Sequence, residues 1–287
     1  MKKNRKKKLT QFVGFLALRV CLYTVLAILL IFLYDIVKHG GGAISWEFIS
    51  QSPRRGMTEG GIFPAIMGTL IVTIVTAVLA IPMGMFAAIY LNEYARQGRL
   101  TRLIRLSIRN LSGVPSIVYG LFGVILFVNI LKFGTSILSA GLTLGLLTLP
   151  WTITASEEAL KTIPNSYREG ALALGATKWQ AIRTNVLPYA IPGMLTGTVL
   201  GLARAAGETA PILFTGAAFY LPYLPKSLGD QFMALPYHLY IMATQHHAIQ
   251  QVRPLAYGTA LVLIVLVLGI NMTAVVVRYR LRRKRRW

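Results

Sequence analysis

The strongest constraint in this sequence is a series of long apolar runs from which charge is nearly absent, separated by segments holding almost all of its 30 Lys and Arg and 9 Asp and Glu. A bilayer core about 30 Å thick is crossed by roughly 20 apolar helical residues. Inside it every backbone N–H and C=O needs an internal partner, so a run of that length reads as a helix. Six runs qualify, at 12–37, 62–91, 111–131, 133–155, 191–218 and 255–277. The expected fold is therefore all-α, a polytopic integral membrane protein with six transmembrane helices. With 55% hydrophobic and 14% charged residues, the 287-residue chain does not suit an ordinary soluble domain. Six basic residues between Lys2 and Lys8 precede the first run, as in a signal peptide, but the run is too long for one.

The basic residues are distributed unevenly about these runs, and that unevenness orients them. The tail before the first run, the segments 96–109 and 161–183, and the tail Arg278 to Arg286 together carry 22 of the 30. Lys38, Arg54, Arg55, Lys132, Lys226 and Arg253 fall on the other side, while Arg19 and Arg204 fall within runs. Positively charged loops near membrane segments are retained in the cytoplasm, so both termini are expected there, with the chain in the inner or plasma membrane. Retention and attraction to anionic headgroups account for the tails, so the lipid bilayer is an expected partner and nucleic acid is not. The expected organisation is 1–61, a basic tail, first helix and outer loop; 62–277, a core of five helices including the loop 156–188; and 278–287, a second basic tail.

Catalytic chemistry is not visible. The single cysteine, Cys21, excludes an intramolecular disulfide framework and a Cys-based zinc site. There is no Gly-Lys-Ser/Thr phosphate cradle and no His-Glu-x-x-His signature. His238, His246 and His247 lack an accompanying carboxylate ladder or thiolate and read as interfacial histidines, so no metal site is expected. Among the outer segments, 43–49 suits a short interfacial helix. The stretch 219–253, with Pro222, Pro225 and Pro236, suits a re-entrant or vestibule element because its apolar part, 232–244, is too short to span.

The loop 156–188 is the most informative segment. Ser156 with Glu157 and Glu158 suits a helix start, Pro164-Asn165 interrupts, and Asn165 or Ser166 can cap a second helix with Arg168 and Glu169 in its opening turn. Ala171, Leu172, Leu174 and Gly175 offer a close-packing surface. Gly175-Ala-Thr-Lys178 turns the chain, Trp179 and Ile182 suit another amphipathic piece, and Leu187-Pro188 ends it before the fifth run. Two readings fit such a loop: an element gripped by a partner, or an amphipathic segment resting on the membrane.

Glu169-Gly170-Ala171, Gly175 after three intervening residues, and Leu187-Pro188 resemble the conserved loop of the permease subunits of binding-protein-dependent ABC importers, with Gly170 standing where a second alanine is typical and Asn185 where an aliphatic residue is common. The segments Gly60 to Ile66, Gly113 to Gly120, Arg204 to Pro211 and Met233 to Tyr240 are similar to the phosphate-importing members of that family. The resemblance implies the type I (MetI-like) importer permease fold, with Glu169, Gly170, Ala171, Gly175, Leu187 and Pro188 coupling the chain to a cytoplasmic ATPase. It further implies a heterodimer with a second, related permease, an ATPase dimer that uses ATP and Mg, and an external phosphate-binding protein. No cofactor is then expected on this chain. Another oxyanion such as sulfate, molybdate or a phosphonate, or a passive anion channel, is the alternative.

Arg204 and Glu208 are the costly residues, since a charge near the centre of a membrane helix costs about 2.5–3.5 kcal/mol on insertion scales. Arg204 lies about 20 Å along the fifth run, past its middle. Either the two satisfy each other at i,i+4, a pairing that typically contributes only tenths of a kcal/mol, or they form a polar translocation path in which the guanidinium offers a planar fork to an oxyanion. Gly207 and Pro211 suggest that this helix is locally irregular. Pro82-Met-Gly84, Pro115 and Pro150 read as packing features, and Thr148, Thr152 and Thr154 are candidates to line a path.

Overall fold

A computed structural model describes residues 2–283, and the elements follow the apolar runs closely. Helix α1 (Lys2–Gly40) is followed by α2 (Trp46–Ser50) and a hairpin of β1 (Pro53–Arg54) with β2 (Glu59–Gly60), in which Pro53 opposes Gly60 and Arg54 opposes Glu59. The next long helix, α3 (Phe63–Ile89), begins with Pro64 in its first turn and continues through a π turn, Tyr90–Tyr94. Then come α4 (Arg99–Leu111), α5 (Ser116–Gly123) with its π turn Val124–Ile130, and α6 (Ile137–Lys161), whose first turn is capped by the Ser136 hydroxyl accepting from Ser139 N at 3.1 Å. The second half holds α7 (Ser166–Ala173), α8 (Lys178–Ala181), α9 (Leu187–Ala206), α10 (Ala210–Thr215), α11 (Leu235–Thr244) and α12 (Ile249–Arg283).

Small residues let these helices approach closely, the driving force that replaces hydrophobic burial within lipid. On α9, Gly193, Gly197 and Gly201 repeat every fourth residue and face Ala159, Ala155 and Trp151 on α6. A Cβ added to Gly197 would lie 2.1 Å from that of Ala155, so the two helices meet almost backbone to backbone. Gly141 and Gly84 bring α6 against α3 in the same way, at Val75 and Thr152. Helix α6 is thereby clasped between α3 and α9. Val72, Ile137, Leu144, Ile212 and Phe232 form the core at one end of this bundle. Ile89, Leu160, Ile182, Val186 and Met194 form it at the other, the side on which 96–109 and 161–183 lie, called here the basic side.

Several boundaries differ from the sequence expectation. Among the described residues five helices are long and apolar enough to cross a membrane, at 11–43, 63–94, 137–161, 178–206 and 249–280. The third run, 111–131, holds α5 with its π turn, and α4, which precedes it, meets it at a bend of 102°. Residues 116–130 extend only about 22 Å, and α4 lies across their end as an amphipathic helix rather than as a loop. Pro115 disfavours helix at Val114, and Arg99, Arg102, Arg105 and Arg109 keep α4 out of the hydrocarbon.

Ser156, Glu157 and Glu158 belong to the last turns of α6, not to a helix start, because Glu157 is buried against Arg105 at 3.0 Å. Leu187-Pro188 does not end the loop's last helix. In a π turn, Ile182–Val186, Leu187 N donates to Ile182 O, and the chain passes into α9 with Pro188 in its first turn. The fifth run does break, at Gly207–Thr209.

Helix α1 is exposed along most of its length and meets the rest where Gly40 packs on the Tyr257 and Gly258 backbone. Helix α11 does not span. It inserts against α3 and α12 with Leu235, Ile241 and Met242 buried. Two of the histidines expected at an interface are buried instead. His246 Nε2 donates to Gly56 O at 2.6 Å while its Nδ1 accepts from Ala248 N. His238 is 2% exposed with its Nδ1 unpartnered, and burial pushes its pKa down to about 4.

Candidate functional site

The first group of expected site residues forms a hairpin that projects on the basic side. Asn165 stands at the N-cap position of α7 without a side-chain cap bond. Glu169 and Gly170 on its outer side are exposed, whereas Ala171 is the only buried residue of the helix. The helix ends in a Schellman motif, with Ala176 N donating to Ala171 O and Gly175 N to Leu172 O. Gly175 adopts φ +82°, and a Cβ there would meet nothing within 4 Å. Its role within the chain is thus conformational, and Gly170 likewise faces open space.

Thr177 then starts α8 with a reciprocal capping box, its hydroxyl accepting from Gln180 N while Gln180 Oε1 accepts from Thr177 N. The hairpin displays Tyr167, Leu172 and Trp179 half-exposed and Leu174 at 90% exposure. Four large apolar side chains on a polar, basic loop form an exposed apolar patch of the kind found where a protein meets another protein or a membrane surface. Leu187 and Pro188 are not part of this tip; Leu187 packs with Ile89, Leu160 and Val186 at its base.

The second group lies elsewhere. Arg204 occupies the last turn of α9, and Glu208 sits within the break, so the two do not share one continuous helix. They meet nonetheless, Arg204 Nε donating to Glu208 Oε1 at 3.3 Å, with the guanidinium 5.3 Å from the centre of the Trp151 ring. Trp151 is 14 residues from Ile137 at the start of α6, about 21 Å, which sets the pair near mid-depth. Gly207 N and Glu208 N bond back to Arg204 O and Ala205 O, closing α9. An arginine at a helix C-terminus is favoured by the dipole there. Its side chain is 49% exposed and that of Glu208 16%, in a groove bordered by Leu263, Val267 and Leu268 of α12. A broken helix at membrane depth, with a polar fork at its end, suits backbone lining a cavity or interface and not lipid. Thr148 and Thr152 do not join it. They are buried, and each bonds back along α6, Thr148 to Leu144 O and Thr152 to Thr148 O. Among the described residues, no group of three or more His, Cys, Asp or Glu is placed to hold a metal ion.

Two ion pairs at the basic side, Arg168 with Glu93 at 2.7 Å and Arg105 with Glu157, escape a reading of the loop alone. The available signal was the position of Glu93 and Glu157 at the ends of apolar runs in a chain with only nine acidic residues.

Residues 80–287 match the family model described as binding-protein-dependent transport system inner membrane component. The chain is similar to the phosphate transport system permease protein PstA 1 of Mycobacterium tuberculosis (strain ATCC 25618 / H37Rv), 39% identical over 88% of this chain and 82% of the relative. It is also similar to the probable ABC transporter permease protein YqgI of Bacillus subtilis (strain 168), 31% identical over 89% and 90%. Among solved structures, a bacterial alginate ABC transporter in complex with alginate pentasaccharide-bound periplasmic protein superposes with a TM-score of 0.64 at 17% identity, over 90% of this chain and 92% of that one. An inward-facing MetNI methionine ABC transporter superposes with a TM-score of 0.57 at 19% identity, over 77% and 94%. The structural likeness carries the fold.

Proposed function

Because the chain belongs to the family of binding-protein-dependent transport system inner membrane components, we propose that it forms half of the translocation pathway for inorganic phosphate in an ATP-driven importer. The observation that carries this reading is the chain-long similarity to a permease named for phosphate transport. The protein is a multi-pass inner membrane protein, and the 22-to-6 division of basic residues supports placing both termini and the 166–181 hairpin in the cytoplasm. There the hairpin that carries Glu169, Gly170, Ala171 and Gly175 docks a separate ATPase dimer (PstB-like), which uses the ATP and Mg, with Glu169 and Gly170 exposed, Ala171 seating α7 on its own chain and Gly175 setting the turn; Leu187 and Pro188 root the hairpin in the membrane helices. This chain holds no cofactor and no catalytic residue.

The groove at Arg204 and Glu208 faces a second, related permease (PstC-like), and an external phosphate-binding protein (PstS-like) delivers the anion. Residues 62–277 form the permease core. Arg204 attracts the oxyanion with a charge that Glu208 and Trp151 hold in place. Co-purification from native membranes should recover these three partners, and vesicles holding the complex should take up phosphate only with ATP. Stronger competition by sulfate, molybdate or a phosphonate than by phosphate would move the substrate to another oxyanion, and flux without ATP would make the chain a passive anion channel.

A further inference from the structure

On the basic side one guanidinium joins three helices. Arg168 Nη2 donates to Glu93 Oε1 at 2.7 Å and Nε to Glu93 Oε2 at 3.0 Å, while Nη1 reaches Ile163 O at 2.9 Å and Nη2 reaches Leu160 O at 3.2 Å. It thus binds the end of α3, caps the last carbonyls of α6 and stands in the first turn of α7. Glu93 is presented by the π turn that ends α3 and is steadied by Asn92 at 2.9 Å. The two side chains are 17% and 5% exposed. Arg105 repeats the pattern beside it, donating to Glu157 Oε1, to Leu91 O and to Gln97 Oε1, and so ties α4 to the same ends of α6 and α3.

Apart from Arg168, α7 is held only by Ala171, its one buried residue, and by an edge-on contact of Tyr167 with Tyr189 of α9 at 5.2 Å between ring centres. Packing between α7 and the membrane helices is sparse and half-exposed, whereas a buried bidentate ion pair resists separation because parting leaves a charge without compensation. We propose that Arg168 and Glu93 form a rigid strut that transmits movement of a docked α7 to α3 and α6, which makes both of them positioning residues for coupled transport. The inference rests on the docking role given above to the 166–181 hairpin.

The test uses the whole complex in vesicles, reading phosphate uptake per ATP hydrolysed, normalised to assembled complex. If the unmodified complex shows no ATP-dependent phosphate uptake, the functional reading has failed, not the strut. Given that uptake, Arg168→Gln should leave the ATPase attached and hydrolysing while uptake per ATP falls by between about twofold and thirtyfold. Should it fail to assemble, Glu93→Gln is read by the same ratio, since it keeps the acceptor and the shape. In a Cys21→Ser background, Glu93→Cys with Arg168→Cys should be uncoupled, and a short bifunctional thiol cross-linker should restore the ratio, because a strut needs stiffness and not charge. A merely structural role would lower the amount of complex and leave the ratio unmoved. An unchanged ratio in the assembled single variants, or a cross-linked pair no better coupled than the open one, overturns the proposal.

Discussion

Arg204 carries a charge at mid-depth because Glu208, the face of Trp151 and the C-terminal end of α9 all stabilise it. Its residue type and its depth are readable from the sequence; the break that lets Glu208 fold back toward it is not. Were neutralising Glu208 its only task, Arg204→Gln with Glu208→Gln would transport normally, because no buried charge would remain unpaired. Phosphate uptake normalised to assembled complex should instead fall by about tenfold or more, the equivalent of one lost charge-assisted hydrogen bond. Arg204→Lys should retain part of the uptake with a raised apparent substrate constant, since it keeps the charge and loses the fork.

His238 offers a test of burial at the same scale. Its folded pKa, about 4, lies below the ordinary 6.5, so the folded protein takes up this proton later than the unfolded chain as pH falls. Stability is therefore full above pH 6.5 and declines as pH falls toward 4, by roughly 2 kcal/mol at pH 5. Thermal denaturation of the purified complex at pH 7.5 and pH 5 should show a larger loss in the natural protein than in His238→Gln. Equal losses would mean that His238 is not held neutral.

At the scale of elements, α7 and α8 form a hairpin because Gly175 takes a positive φ and Thr177 with Gln180 restarts the helix. The first device is legible in Gly175-Ala-Thr-Lys178 and the second in Thr177-Lys-Trp-Gln180. The exposure of Leu174 is not, because a leucine in a membrane protein's sequence gives no sign of whether lipid, core or another chain covers it. Gly175→Ala meets no neighbour, so its cost is the left-handed backbone alone, about 1–2 kcal/mol. Attachment of the ATPase, measured by co-purification, should weaken by about fivefold or more while the chain remains in the membrane. Gly170→Ala stands at an ordinary helical position in open space, carries no backbone strain and should weaken attachment by less. Equal behaviour of the two variants would show that backbone conformation is not what Gly175 supplies.

For the whole molecule, the basic residues and the fold agree on one arrangement, in which the ends of α3 and α6 meet the 166–181 hairpin on the side of the excess charge. In a Cys21→Ser background, Lys178→Cys should resist a membrane-impermeant thiol reagent applied to sealed cells, and Lys226→Cys should react. Labelling at residue 178 from outside would invert the topology. Glycines on α9 and α6 explain how this arrangement is held without many large interlocking side chains. Gly197→Leu should accordingly part α9 from α6 and abolish assembly, since even a Cβ there lies 2.1 Å from Ala155.

The apolar runs and the lopsided distribution of basic residues were legible in the sequence alone, because each follows from sums along the chain: hydropathy over some 20 residues and Lys and Arg counted on each side. Tertiary structure decided whatever depends on a partner distant in sequence. Glu157 became part of α6 through Arg105, 52 residues away, and Arg168 found Glu93 across 75 residues. Residues 99–111, expected almost entirely as loop, became α4, which the bend at Pro115 sets at 102° to the helix that follows. A hydrogen-bonding group in low dielectric must find a partner wherever the fold brings one, and no local pattern names that partner in advance.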